Sequence, residues 1–240
     1  FIVAALLAPW ITPQNPYDLE TLTLEHFLTP PVWMDEGKAP FVLGTDDQGR
    51  DIFSTIIYGC RTSLIVGFSV VLIAGTFGVI MGLLAGYYGG WIDAVTMRLA
   101  DTLFSFSTTL LAFLFLGIAG GGSKLIVILA ICIAGWVRYA RTMRGSVLEV
   151  RENAYIMAAK STGAGDFRLL MRHLLPNAVP PIFVVLAIDL AVVIMLEATL
   201  SFLGVGVPLT EPSLGMMISA PKASASRRTL LSVRSPRTVG

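Results

Sequence analysis

The side chains best suited to chemistry in this sequence are two carboxylates, Asp189 and Glu197, within a long apolar run over 182–203. Carboxylates inside a membrane segment are costly, and they usually face the interior of a helix bundle or a water-filled path. Eight residues apart on a helix, they lie roughly 80° apart in azimuth, so both could line one side. Three interpretations stay open: acid–base catalysis, lining of a translocation path, and hydrogen bonds between helices, the last being preferred for Glu197.

The other potentially reactive groups do not form a recognisable site. Cys60 and Cys132 are isolated, which predicts neither a disulfide framework nor a metal site. His173 has no histidine partner and no HExxH spacing around it. The glycine-rich stretch 117–124 is not a phosphate-binding loop, because Ser123 precedes the lysine and no strand leads into it. We therefore expect no nucleotide site, cofactor or metal in this chain, and these residues give no support to an intramembrane enzyme.

Composition places these residues in a membrane protein. Of 240 residues, 55% are hydrophobic and only 14% are charged, with a mean hydropathy of +0.75, whereas soluble domains carry about 25% charge. The apolar residues form runs that predict an all-α, polytopic helix bundle with about five spans. The predicted spans are a partial first helix over 1–11, at which the chain is expected to start partway, and then 62–88, 102–119, 125–139 and 182–203.

The distribution of charge predicts the orientation of the spans. The segment 12–61 is acidic and proline-rich, which is typical of an external loop. The segment 138–176 carries seven basic residues against three acidic ones, so we expect it in the cytoplasm. Membrane topology already accounts for these arginines, so no nucleic-acid binding is expected. Gly78, Gly82 and Gly86 recur every four residues in the second span and predict a close contact with another helix.

The cytoplasmic loop 149–177 is predicted to hold two helices. The first covers 149–162 and ends at Gly163 in the C′ position, and Asp166 is the expected N-cap of the second. Pro176 is expected to stop the second helix before the next span. In that helix one apolar stripe is predicted, formed by Phe167, Leu170, Met171 and Leu174. Such a helix pair on a membrane face is typical of a docking element.

Several motifs carry a family resemblance. The spacing of Ala158-Ala159, Gly163 and Leu175-Pro176 resembles the EAA loop of ABC-importer permeases, although Met157 replaces the usual glutamate and His173 the usual isoleucine. The variant here resembles that of the dipeptide, oligopeptide and nickel transporter subfamily. The stretch 44–51, with sequence GTDDQGRD, is similar to an element before the second helix of these permeases, and 197–206 and 212–215 also resemble the subfamily. For Asp51 an N-cap is preferred to a calcium ligand, because the EF-hand spacing is not met.

This resemblance implies a permease of the type I ABC-importer fold, with a transmembrane domain over 62–219. It implies a bacterial or archaeal plasma membrane and, as partners, a second homologous permease, two ATP-binding subunits that use the ATP, an external substrate-binding protein and membrane lipid. The residues it assigns to ATPase coupling are Ala158, Ala159, Gly163, Asp166, Leu175 and Pro176. Peptides are the expected cargo, with nickel or another small solute as the alternative, and a passive channel is the remaining rival.

The C-terminal segment departs from this family pattern. A sixth membrane helix would be expected there, but 220–240 is basic, without acidic residues or a long apolar run. We expect this segment to be disordered, and to be a truncated or out-of-frame end.

Overall fold

A computed structural model of the chain describes residues 3, 7–12, 29–33, 41–46, 49–120, 123–206 and 214–215. Within these residues the regular structure is helical, apart from one isolated bridge between Thr45 and Asp51. The helices are α1 (Ala8–Ile11), α2 (Ile52–Tyr88), α3 (Gly90–Phe104), α4 (Thr108–Ala119), α5 (Lys124–Arg151), α6 (Ala154–Ser161), α7 (Asp166–Leu169), a π-helical segment (Leu170–Leu174), α8 (Leu175–Ala178) and α9 (Pro180–Phe202).

Three of the described helices, α2, α5 and α9, are long and apolar enough to cross a membrane. A fourth crossing results if α3 and α4 form one span, although they meet at a bend of 88°. Of the predicted partial helix at 1–11, the structure describes residues 3 and 7–11, and α1 there has four residues. The predicted basic tail at 220–240 lies wholly outside them.

Helix α2 begins at Ile52, ten residues before the predicted start of the span at 62. The predicted N-cap is confirmed, because the Asp51 carboxylate accepts hydrogen bonds from the Ser54 backbone N–H at 2.8 Å and from the Ser54 hydroxyl. The sequence-based boundary rested on Arg61, the last charge before the apolar run. That arginine lies inside the helix and is half-buried, since its long aliphatic stem can pack while its charged end reaches outward.

The predicted third span at 102–119 is not one continuous helix. Its last part is α4, whose 12 residues are too few to cross a membrane alone. The preceding polar residues belong to α3, a separate amphipathic helix, and not to a connection. They are used in ion pairs with α5: Asp93 binds Arg144 through both carboxylate oxygens, and Asp101 Oδ1 lies 2.5 Å from Arg141 Nη2.

Helix α5 is longer than the predicted fourth span at 125–139. It runs from Lys124 to Arg151, because the arginines that suggested its end meet acidic residues of other helices. Arg138 pairs with Asp189 of α9, while Arg141 and Arg144 pair with α3. The Arg141 guanidinium also lies 4.4 Å from the centre of the Phe104 ring, a favourable cation–π distance.

The chain divides into two compact units, one formed by 1–66, 121–124 and 197–240, the other by 67–120 and 125–196. In the second unit the predicted glycine contact is confirmed. A Cβ atom added at Gly78 would lie 2.6 Å from Tyr139 Cβ, and one at Gly86 would lie 2.9 Å from Val147 Cβ. Helices α2 and α5 therefore approach each other through bare backbone, as small residues permit in membrane bundles.

In the first unit, the segment before α2 forms a compact turn. The Arg50 backbone N–H donates to Asp46 Oδ1 at 2.9 Å, and the Asp46 N–H donates to the Arg50 carbonyl at 2.9 Å. The Thr45 hydroxyl accepts a hydrogen bond from the Thr29 N–H at 2.8 Å. Gly44 has φ +79°, a left-handed conformation that favours glycine. In the described residues of 44–51, Asp46 and Asp51 thus accept backbone hydrogen bonds that close the turn and cap α2.

Candidate functional site

The first part of the loop 149–177 is a short helix on a tight turn. The predicted helix at 149–162 is wrong at its start, because α5 continues to Arg151 and α6 begins only at Ala154. Its predicted end is confirmed. Gly163 has φ +82° and donates to the Lys160 carbonyl at 3.1 Å, while the Ala164 N–H donates to the Ala159 carbonyl at 3.2 Å. These two bonds form a Schellman motif, which fixes the direction in which the chain leaves α6.

The second part of the loop is helical but not a simple α-helix. Gly165 occupies the N-cap position of α7, so the predicted capping role of Asp166 is wrong. Asp166 lies instead in the first turn, where a negative charge is favourable, and accepts a hydrogen bond from the Tyr87 hydroxyl at 2.6 Å.

Pro176 does not stop this helix, contrary to the prediction, because it lies in the first turn of α8 and the helix continues to Ala178. Its ring crowds the carbonyl four residues earlier, and it has no N–H to donate. The wider π turn at Leu170–Leu174, directly before it, accommodates both effects.

The π turn also explains why the predicted apolar stripe is wrong. Leu170 and Leu174 are buried, whereas Phe167 is 74% exposed and Met171 is 45% exposed. A stripe at i, i+3, i+4 and i+7 requires 3.6 residues per turn. A segment with i to i+5 hydrogen bonds shifts the later positions to another face.

The loop is held at the end of α2 by two hydrogen bonds. The Arg151 guanidinium donates to the Gly86 carbonyl at 3.0 Å, and Tyr87 binds Asp166 as described above. Ile156 of α6 is 4% exposed, so α6 also buries one apolar side chain. The loop is therefore a folded element with a fixed position on the second unit.

The loop also exposes three large apolar side chains: Tyr155 (46%), Met157 (57%) and Phe167 (74%). We call these three residues the exposed apolar set. Of the positions assigned to coupling, Ala158, Gly163, Asp166 and Pro176 are exposed, while Ala159 and Leu175 are half-buried. Exposed apolar residues on a segment between membrane helices are typical of a protein-binding surface.

The two buried carboxylates hold helices together. Asp189 is 2% exposed, accepts a hydrogen bond from the Tyr139 hydroxyl at 2.7 Å and pairs with Arg138, so it joins α9 to α5. Glu197 is fully buried and accepts hydrogen bonds from Ser63 of α2 at 2.6 Å and from Ser201 of its own helix at 2.8 Å. The two carboxylates share no partner, and the contacts of Glu197 agree with the preferred interpretation, a hydrogen bond between helices.

Sequence reasoning missed the partners of several acidic residues, namely Asp93, Asp101, Asp166 and Asp189. Arg141 and Arg144 were assigned to membrane orientation alone, although their spacing of three places them on one helix face. Tyr87 and Tyr139 carried no signal in the sequence, because a tyrosine in an apolar run is ordinary. Within the described part of the chain, no three histidine, cysteine, aspartate or glutamate residues are grouped so that they could hold a metal ion.

Comparisons with known proteins agree with these features. Residues 78–226 match the family model described as "Binding-protein-dependent transport system inner membrane component". The chain is 37% identical to the dipeptide transport system permease protein DppC of Haemophilus influenzae, over 90% of this chain and 72% of that protein. It is 36% identical to the di/tripeptide transport system permease protein DppC of Pseudomonas aeruginosa, over 92% and 72%. The glutathione transport system permease protein GsiD of Pectobacterium atrosepticum is 41% identical over 75% and 60%.

Among solved structures, the chain resembles one described as an amino acid ABC transporter with histidines. The TM-score is 0.55 at 16% identity, with 75% of this chain and 89% of that chain covered. At this identity the likeness shows a shared helical fold, which agrees with the fold predicted from the sequence.

Proposed function

Because the chain belongs to the family of binding-protein-dependent transport system inner membrane components, we propose that it is the permease through which an ATP-driven importer takes up peptides. Membership makes the chain a membrane-embedded transport subunit, and the family predicted from the sequence is confirmed. Peptides are proposed because the relatives named for dipeptides and for di/tripeptides align with 90% and 92% of this chain.

The proposed assembly contains a second homologous permease, two ATP-binding subunits and an external substrate-binding protein. The translocation path runs between the two permeases, in the plasma membrane of a bacterial or archaeal cell. ATP is bound and hydrolysed by the partner subunits, and this chain carries out no covalent chemistry. Its task is to convert movement of the ATP-binding subunits into opening and closing of the path.

The observation that carries this proposal is the construction of the loop 149–177. It is bound to α2 through Arg151 and Asp166, and it exposes the apolar side chains of Tyr155, Met157 and Phe167. A passive channel needs no such element. A folded loop with an exposed apolar surface is what an ATP-binding subunit requires in order to bind the permease and move its membrane helices.

The docking role is tested with Phe167→Ala and a matched control, Phe183→Ala. Both phenylalanines are exposed, at 74% and 66%, but Phe183 lies on the membrane helix α9. An aromatic residue at the centre of an interface contributes about 2 kcal/mol or more, roughly thirtyfold in affinity. Phe167→Ala should therefore lose the co-purifying ATP-binding subunit and the uptake of a radiolabelled dipeptide, while Phe183→Ala keeps both. Retention of the ATP-binding subunit by Phe167→Ala would contradict the docking role.

The cargo is tested separately by competition. Uptake of the labelled dipeptide by cells that express the whole transporter should fall with excess unlabelled dipeptide and remain unchanged with a nickel salt. Competition by nickel alone would favour the alternative, a nickel importer.

A further inference from the structure

An apolar groove follows helix α2 in the second unit and ends close to the loop. Its volume is about 350 Å³, within the lower part of the range for ligand sites, about 300–1,000 Å³. Its floor includes Val71, Leu83 and Ile182, which are buried, and its rim includes Thr76 and Met171, which are exposed. A polar solute would find almost no hydrogen-bonding partner there, since Thr76 is the one lining residue with a polar side chain.

The groove runs from the loop into the membrane. At its loop end it is lined by Leu83 of α2 and by Met171 in the π segment. At its deep end Leu186 of α9 lies against Gly75, where an added Cβ atom would be 3.1 Å from Leu186 Cδ2. Three aromatic residues lie at the loop end of α2: Tyr87 and Tyr88 are its last two residues, and Trp91 follows in α3. Clustered tyrosine and tryptophan residues mark the boundary between membrane and water, so the groove opens at that boundary.

Two basic residues adjoin the lining residues of the loop end in the sequence. Arg172 directly follows the lining residue Met171, precedes the lining residue Leu175 by three positions, and is exposed. Arg168, four positions earlier, is exposed as well. Neither arginine pairs with an acidic side chain among the residues that the structure describes. The loop end of the groove therefore has an apolar lining, with two exposed arginines close to it in the sequence.

We propose that this groove binds one anionic phospholipid, with an acyl chain along α2 and the phosphate group on Arg172. The acyl chain alone gives little preference, because lipid tails are about as apolar as the leucine side chains that they would contact. Selectivity comes from the headgroup. A basic residue near an anionic membrane surface contributes about 1 kcal/mol, which corresponds to about a fivefold change in affinity. The lipid bound here lies beside the π segment, which is the part of the loop that leads into α8 and α9.

The test is native mass spectrometry of the full chain, released from nanodiscs that contain equal amounts of phosphatidylglycerol and phosphatidylcholine. The wild-type chain should retain one phosphatidylglycerol in preference to phosphatidylcholine. Arg172→Ala should reduce that preference about fivefold, and Arg172→Lys should restore most of it. The matched control is Arg98→Ala, since Arg98 is also exposed but lies on α3, away from the groove.

The groove itself is tested with a pair of filling substitutions. Thr76→Phe places a ring in the groove, whereas Ile73→Phe adds the same ring at an exposed position of α2 that does not line it. Thr76→Phe should abolish the retained lipid and Ile73→Phe should leave it. Equal retention of the two lipids by the wild-type chain would overturn the proposal. So would an equal loss of preference in Arg98→Ala and Arg172→Ala, which would indicate general attraction of the surrounding lipid.

Discussion

Replacement of Gly82 by alanine is expected to force α2 and α5 apart. A Cβ atom at this position would collide with the Ala140 carbonyl oxygen and would lie 2.8 Å from Met143 Cβ and 3.0 Å from the Ala140 carbonyl carbon. Two of these three atoms belong to the backbone of α5, so no change of side-chain rotamer relieves the contact. One of the two helices must shift.

The size of the effect follows from two opposing terms. Overpacking of a closely packed contact costs about 1–3 kcal/mol, and a backbone obstacle places Gly82→Ala toward the upper end. Alanine in a helix interior gains about 0.5–1 kcal/mol over glycine. The net loss in the free energy of unfolding should therefore be about 1–2 kcal/mol.

The matched control is Gly145→Ala in α5, where an added Cβ atom meets nothing within 4 Å. This variant gains the helix propensity without the collision, so it should be slightly more stable than the wild type. Gly86→Ala should fall between the two, because its closest obstacle is the Val147 side chain at 2.8 Å and the nearest carbonyl oxygen is at 3.2 Å. The free energy of unfolding is measured by titration with sodium dodecyl sulfate in mixed micelles. If Gly82→Ala proved as stable as Gly145→Ala, the close approach of α2 and α5 would be refuted.

Two further predictions concern the buried ion pair and the loop turn. Asp189→Ala should destabilise the chain by about 1–3 kcal/mol in the same titration, because it leaves the buried Tyr139 hydroxyl without its acceptor and Arg138, whose side chain is 35% exposed, without its ion pair. Asp189→Asn keeps an acceptor for Tyr139 and should lose less, and equal losses would contradict this. Gly163→Trp should abolish dipeptide uptake, because the left-handed conformation at this position, with φ +82°, costs a residue with a side chain about 1–2 kcal/mol. Insertion into the membrane should stay normal, as measured by immunoblotting of isolated membranes. Gly165→Ala is its control, with equal free space but no left-handed conformation, and normal uptake by Gly163→Trp would count against the turn.

The features that the sequence predicted correctly are local ones. Asp51 caps α2 and Gly163 ends α6, and both follow from the residue type and its immediate neighbours. Pro180 begins α9, as a proline pair before an apolar run predicts. The glycine spacing in α2 predicted a helix contact, although it could not name α5 as the partner.

The features that the sequence missed depend on distant partners. In a prediction from hydropathy, a charged residue marks the end of a membrane span. Asp101 and Arg138 were therefore predicted to lie at or beyond the ends of helices. In the structure each finds an opposite charge 40 to 51 positions away and remains inside a helix. The π turn at Leu170–Leu174 was missed for a similar reason. It accommodates the ring of Pro176 while Leu170 and Leu174 stay buried, and which residues are buried depends on the rest of the fold.

The contacts within the second unit support transmission of force from the loop. The loop is continuous with α5 and, through α8, with α9, and it is fastened to α2 by Arg151 and Tyr87. The glycine contact joins α2 to α5, and Asp189 joins α5 to α9. Sliding of one of these helices past another would break a buried ion pair or open a closely packed contact, and packed interfaces of this kind do not deform continuously. Displacement of the loop by a bound partner should therefore move the parts of α2, α5 and α9 that belong to this unit together, which a loop on a flexible tether could not do.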